Sequence, residues 1–352
     1  MKRFLVGVMA GCLGVTANAA DPVGTASVNG SGQAPATISA PAPAPTAPAP
    51  MITSVTPTAP TASIMSGAPA IPTTQLMGDS SSRGFLESDH AFDNFVGPSS
   101  NPVLSKDPRS LTEARILFID NNIPNSNPLG GGNFQVYAMQ IRLALTDRLT
   151  LIADKDGIAS ISAKGAPHET GFLNLAAGLK YTFYRDVENQ TLAAAGFMFE
   201  PQTGESKVFQ GQGDGIFTFF ATYGQEFWCK NHIIVNGGYI VPVDSNQNSS
   251  LFYTQLHLDR QVNEWLYPLM EVNWYHWLAG GNRGLPPALG EGDGLLNLGT
   301  SGVAGNDLVS MALGFKVKIS PHAETGVVYE FPLTSRKDLL DSRIQAELIL
   351  RY

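Results

Sequence analysis

From residue 111 to the C-terminus the chain alternates apolar and polar positions with a period of two. In the last such run Ile344, Ala346, Leu348, Leu350 and Tyr352 fall on one side, and Arg343, Gln345, Glu347 and Arg351 on the other. Between 307 and 319, Val309, Met311, Leu313, Phe315, Val317 and Ile319 oppose Ser310, Gly314, Lys316 and Lys318. Near 133–145, Tyr137, Met139, Ile141, Leu143 and Leu145 oppose Ala138, Gln140, Arg142 and Ala144. Near 171–184, Leu173, Leu175, Leu179, Tyr181 and Phe183 oppose Asn174, Gly178, Lys180 and Thr182. Successive side chains of a strand point to opposite faces, so each run predicts a strand with one apolar face. About twelve strands follow: 112–121, 133–145, 149–159, 171–184, 190–200, 215–227, 231–243, 250–262, 265–278, 307–319, 323–333 and 341–352. The third, fifth and eighth alternate least clearly, which leaves counts of 10 or 14 open.

A soluble sandwich also alternates. Two features favour a transmembrane barrel. Tight connections such as Thr146-Asp147-Arg148, Trp228-Cys229-Lys230, Asn263-Glu264 and Ser320-Pro321-His322 interleave with longer ones, up to the roughly 28-residue stretch 279–306, as in outer-membrane barrels. Aromatic residues gather at strand ends: Phe183-Tyr184, Phe227-Trp228, Trp265 with Tyr267, and Trp274-Tyr275 with Trp277, as interfacial girdles would. In lipid every backbone amide needs a partner, and a closed sheet leaves no edge. The predicted fold is all-β: a transmembrane antiparallel up-and-down β-barrel of about 12 strands, preceded by a disordered Pro/Ala-rich segment. An even strand count puts both ends of the barrel on the short-turn, periplasmic side.

The upstream sequence changes the picture by position. Lys2 and Arg3, an apolar run over 4–15 and Ala17-Asn18-Ala19 read as a secretory signal over 1–19. A competing lipoprotein reading would end at Cys12. Residues 20–78 are Pro, Ala, Ser and Thr-rich, with no Asp, Glu, Lys or Arg from 22 to 78. Such a chain buries too little apolar surface to fold, and in polyproline geometry it reaches on the order of 150–180 Å. It reads as a periplasmic spacer or a cell-wall-contacting arm. Residues 79–110 form a bridge in which Phe92 and Phe95 share one face of a short helix, docking at the barrel mouth or entering the lumen as a plug. Residues 111–352 are the barrel.

Composition narrows the chemistry. Charged residues make up 15% of the chain and the net charge is −8, which argues against nucleic-acid partners. Cys12 and Cys229 are the only cysteines, so once a signal is removed no internal disulfide or thiolate zinc cluster can form. His232, His257 and His276 lie in strands, and His257 and Asp259 point the same way. That is the weak beginning of a membrane-embedded hydrolase site, which would still need a serine. No histidine pair has metal-ligand spacing. The acids of Gly213-Asp214-Gly215 and Glu291-Gly292-Asp293-Gly294 read as turn chemistry rather than calcium ligands. No cofactor is implied.

By strand phase the lumen-facing charges are Arg142, Lys180, Glu226, Asp259, Glu271, Lys316, Lys318, Glu324, Glu330, Arg343, Glu347 and Arg351. Their signs nearly balance, unlike the one-sign rings of ion-selective filters, and cross-strand ion pairs are expected. They either stiffen the wall or order a polar solute at a constriction. Leu295, Leu296, Leu298 and Val303 make the 279–306 loop apolar enough to fold into the mouth or pack on other loops.

The bridge (Ser88-Asp89-His90, Phe92-Asp93-Asn94-Phe95, Asn101-Pro102, and Asp107-Pro108-Arg109 running on to Ser110-Leu111-Thr112-Glu113) and the C-terminal third (Asn297-Leu298-Gly299, Ala304-Gly305-Asn306-Asp307, Tyr329-Glu330-Phe331-Pro332-Leu333, Lys337-Asp338-Leu339-Leu340-Asp341) carry a resemblance across 88–352. They resemble a family of predicted bacterial outer-membrane β-barrel proteins of undefined substrate and are loosely similar to transporter-type barrels associated with aromatic-compound degradation. The resemblance implies a barrel and no particular mechanism. The expected function is a passive channel or transporter for small solutes in the bacterial outer membrane. A non-conducting barrel anchoring that membrane toward the cell wall is the alternative, and a membrane-embedded hydrolase comes third. Expected partners are outer-membrane lipids, the barrel assembly machinery through the strand ending at Tyr352, and the cell wall through the linker.

Overall fold

The computed structural model describes residues 84–352 apart from Cys229. The expected signal over 1–19, the Pro/Ala-rich stretch over 20–78 and residues 79–83 of the bridge lie outside the described residues.

One antiparallel sheet closes on itself. Its segments are β1 (Glu113–Ile123), β2 (Gly132–Ala144), β3 (Leu149–Lys155), β4 (Ile158–Ala163), β5 (Glu169–Phe172), β6 (Ala176–Asp186), β7 (Thr191–Glu200), β8 (Ile216–Phe227), β9 (Asn231–Pro242), β10 (Ser250–Arg260), β11 (Leu266–Ala279), β12 (Asp307–Ser320), β13 (Ala323–Pro332) and β14 (Ser342–Arg351). Each strand from β6 to β14 pairs with its neighbour in sequence, and β1 pairs with both β14 and β2. β3 with β4, and β5 with β6, are halves of two broken staves, so the wall has 12 staves. This is the antiparallel 12-stranded barrel the alternation predicts.

The breaks are adjacent. β2 pairs with β4 through 132–137 and with β3 through 141–144, leaving Ala138, Met139 and Gln140 outside both ladders. Side chains and free carbonyls take over there: Met139 N donates to Asp156 Oδ1 at 3.0 Å and the Gln140 amide to Asp154 O at 2.6 Å. Gly157 turns the chain at φ +104°, where a Cβ would lie 2.2 Å from Tyr137 O, a position only glycine fits. In the next stave the break falls at 173–175. Leu173 was expected to face outward with Leu175; instead it is buried inside the barrel while Leu175 is exposed, because the irregular step shifts the phase between β5 and β6.

Outside, the wall presents Ile116, Tyr137, Phe197, Phe219, Tyr239, Leu313 and Phe315, all exposed, the face a bilayer requires. Trp228, Trp265 and Trp274 are exposed with them, but Tyr267, Tyr275 and Trp277 are not girdle residues: they point inward and are fully buried. In β11 odd-numbered residues from Tyr267 to Trp277 face the lumen, so only Trp274 of that cluster can meet lipid.

Candidate functional site: a filled lumen

Residues 88–111 run inside the sheet as an in-and-out hairpin. Its two ends lie side by side at the short-turn end, where Asp89 N donates to Ser110 O at 2.9 Å and Ser88 N to Tyr352 O at 3.0 Å. Asp89 caps a single 3-10 turn, His90–Phe92, by accepting from Ala91 N, and forms a bidentate pair with Arg185 at 2.8 and 2.9 Å. Phe92 and Phe95, whose ring centroids are 6.1 Å apart, are completely buried against Leu192 and Ile234. The chain reverses at Asn101, which has φ +44°, where Leu104 N and Ser105 N both donate to Asn101 O.

The hairpin's backbone is satisfied by the wall, as buried amides and carbonyls must be. On the rising limb Ser99 N and Ser100 N donate to the two oxygens of Glu271 at 2.7 and 2.6 Å. Ser99 Oγ donates to Glu347 at 2.7 Å, and Arg115 donates to Pro98 O at 3.0 Å. Near the apex Asn101 donates to Tyr275 OH and Asp293 O, both at 2.7 Å. On the descending limb Thr222 and Asn236 donate to Lys106 O at 2.9 and 2.8 Å, Lys180 to Asp107 O and Arg109 O, and Thr182 to Pro108 O at 2.9 Å.

The hairpin's own charges are paired. Lys106 Nζ lies 2.7 Å from Asp154; burial lowers its pKa, an effect that Asp154 only partly offsets. Arg109 grips Asp107 through Nε and Nη2 at 2.6–3.2 Å. Burial alone would raise the Asp107 carboxyl, but the Arg109 guanidinium outweighs it and holds the group far below the usual carboxylate range.

Of the twelve lumen candidates, Arg142, Lys180, Asp259, Glu271, Lys316, Glu324, Glu330, Arg343 and Glu347 are buried inside the wall, and Glu226, Lys318 and Arg351 are partly accessible. Cross-strand pairing brings together Lys316 with Glu324 at 3.0 Å and Glu347 at 2.8 Å, Arg343 with Glu330 at 3.1 Å, and Arg351 with Glu113 at 2.9 Å. Arg142 joins Glu113 at 2.7 Å. Lys318 is not brought to a carboxylate partner: its ammonium donates to Asp93 O and sits 4.6 Å over the Tyr267 ring. Arg115, which pairs with Glu347, was missed, although its place between inward Glu113 and Leu117 in β1 would have revealed it. Asp154 was missed because the break after β3 hides its phase.

The long loop enters from the opposite end. Leu289, Leu295, Leu296 and Leu298 pack on the inward residues Ile119, Phe134, Val136 and Ile161, while Val303 joins Leu104, Tyr275 and Trp277. Glu291 organises it by accepting from Ser249 Oγ at 2.6 Å, Gly292 N at 3.0 Å and Thr300 N at 3.2 Å. Asp293 pairs with Arg343 at 2.7 Å. These two acids therefore do the turn and ion-pair work that loop geometry asks of them. Space remains at the short-turn end: a cavity of about 420 Å³ bounded by Asp93, Lys318, Glu324, Ile349 and Arg351.

Both ring nitrogens of His257 face carboxylates. Its Nδ1 lies 2.6 Å from Glu271 and its Nε2 3.0 Å from Asp259. His276 lies at the exposed long-loop end, 2.9 Å from Asp307. Among the described residues no cluster of three or more His, Cys, Asp or Glu side chains is arranged to hold a metal ion.

No protein-family model matches the chain. No curated protein matches it by sequence. Among solved structures, an outer-membrane channel from Pseudomonas putida F1 superposes with a TM-score of 0.53 at 14% identity, covering 73% of this chain and all of that one. The NanC porin aligns at TM-score 0.42 and 6% identity over 68% of this chain and 98% of its own. The toluene transporter TodX of Pseudomonas putida aligns at 0.37 and 9% over 76% and 98%. The first likeness establishes a shared outer-membrane barrel fold.

Proposed function

We propose that this protein is an outer-membrane channel for small solutes that rests closed, with the 88–111 hairpin as its stopper. The observation that carries the reading is the division of labour in the lumen. Beside the hairpin the inner wall is largely polar and ion-paired, interrupted by apolar contacts such as Leu192 and Ile234, and what fills that part of the lumen is a separate segment of the chain rather than the wall's own side chains. A barrel built only to anchor could close with apolar packing, whereas here carboxylates, amides and hydroxyls of the wall meet a hairpin that water could replace group by group. The fold shared with an outer-membrane channel supports placement in that membrane, with the tight turns and the hairpin's entry on the periplasmic side.

Planar-bilayer recording of the full chain beside Lys106→Ala tests this. Removing the ammonium that ties the hairpin to Asp154 is expected to turn rare, small currents into frequent and larger ones. If neither protein passes current or swells solute-loaded liposomes, the anchoring barrel replaces the channel.

A further inference from the structure

A line of alternating acids and imidazoles runs through the lumen from the short-turn end to the hairpin, and solute passage does not by itself require it. Strand register builds it: Glu226 of β8 stands opposite His232 of β9, His232 opposite Asp259 of β10, and His257 of β10 opposite Glu271 of β11. His232 Nδ1 is 2.7 Å from Asp259 Oδ1, and His257 Nε2 is 3.0 Å from Asp259 Oδ2. His257 Nδ1 is 2.6 Å from Glu271 Oε1, and Glu271 receives the Ser99 and Ser100 amides. The line is partly accessible at Glu226, 3.6 Å from His232 Nε2, and otherwise buried.

A neutral imidazole has one N–H and one lone pair, so it can satisfy only one of two flanking carboxylates; the imidazolium satisfies both. We infer that protonated His257 is the clasp that holds the hairpin in the lumen, and that its deprotonation releases the Ser99-Ser100 limb. This rests on the hairpin acting as a stopper.

Losing the proton leaves Asp259 and Glu271 as two buried carboxylates with no cation between them, a costly state in a dry interior. Admitting water relieves it, and Ser99 and Ser100 occupy the space that water would enter. The other charges around this point are already engaged. Glu347, which holds Ser99 Oγ, pairs with Arg115 from β1 and Lys316 from β12. The hairpin's Lys106 pairs with Asp154 and its Arg109 with Asp107. On β9 the facing titratable group is His232, whose ring lies tilted at 41° to that of Phe95 with centroids 4.5 Å apart, and one Nδ1–H serves its bond to Asp259 in either protonation state. Docking is complete while both ring nitrogens of His257 carry a proton to donate, and is lost once one of those protons leaves.

The test is hydrogen exchange of the 95–105 amides in the full chain in liposomes, corrected for intrinsic rates, between about pH 6 and about pH 10, which spans histidine titration. In the wild type, protection should fall by up to about tenfold per pH unit while one proton is released. His257→Gln should show weak protection at every pH and no transition. Asp259→Asn, which leaves one carboxylate for a neutral imidazole to serve, should stay protected across the range, and a gel-shift assay of barrel folding guards both variants. His232→Gln should keep the transition. An unchanged transition in His257→Gln, or a wild type protected equally at both ends, overturns the clasp. Liposome swelling is read in parallel: a His257-dependent exchange transition without solute entry keeps the clasp and removes the channel reading.

Discussion

Two irregular segments meet inside this barrel and are held by different physics. The hairpin, rising from the short-turn end, is polar: Ser99, Ser100, Asn101, Ser105, Lys106, Asp107 and Arg109 are all buried and are matched by wall carboxylates, amides and cations. The loop over 280–306, descending from the other end, is anchored by Leu289, Leu295, Leu296, Leu298 and Val303 on an apolar patch of the inner wall. They touch where Asn101 donates to Asp293 O. Apolar burial has no charge to titrate and needs no particular partner. A satisfied buried polar network is specific, but each lost partner leaves a costly orphan. The lower segment is therefore the one whose docking depends chiefly on charged and polar partners, while the upper one adds the Asp293–Arg343 pair and the Glu291 hydrogen bonds to a mainly apolar anchor.

The largest expected effect comes from orphaning a charge on the polar side. Asp154→Ala leaves Lys106 and Arg142 without their shared carboxylate, and breaking a buried pair costs about 3–5 kcal/mol. Urea titration should show the hairpin released ahead of the wall, seen as proteolysis near Lys106 with the barrel intact; a single cooperative loss of both would erase the distinction drawn here. On the apolar side Leu298→Ala, at a fully buried position, should cost about 2–5 kcal/mol. Its effect should be confined to loop cleavage and independent of pH between about 6 and 10.

A charge placed outside tests the face assignment itself. Phe197→Arg on the lipid face should cost about 2–4 kcal/mol if the residue sits near the bilayer midplane, measured by folding into vesicles. The same assay should find Lys180→Met, on the inner face, a defect of hairpin retention instead of insertion. The smallest effect should be that of Trp228→Ala, 80% exposed at a tight turn: a fraction of a kcal/mol in folding, with the hairpin's exchange unchanged.

The strands that read poorly in the sequence are instructive. β7 looked weakly alternating because both of its faces are apolar or small: Phe197 is exposed outside, while Leu192, Ala194 and Met198 are buried inside, where Leu192 receives Phe92 and Phe95, and Met198 packs in the cluster that holds Leu104. β10 carries Leu251 and Tyr253 inward for the same reason. An inner face that packs against a stopper need not be polar, so the alternation fades where the lumen is filled. Girdle aromatics misled in the opposite sense at β11, where Tyr275 and Trp277 serve the lumen.

What the sequence determined by itself is what depends on local periodicity: the barrel, about 12 staves, the faces of the charges that lie in regularly alternating strands, and the alternation of tight turns with long loops. Those follow from a backbone that must pair all its amides and from side chains that alternate every residue. Only the tertiary structure decided that 88–111 enters the lumen, that Asp154 serves Lys106, and that His257 stands between Asp259 and Glu271. These depend on which strands lie across from each other and on what occupies the space they enclose, and strand phase fixes a side chain's direction without fixing what it meets there.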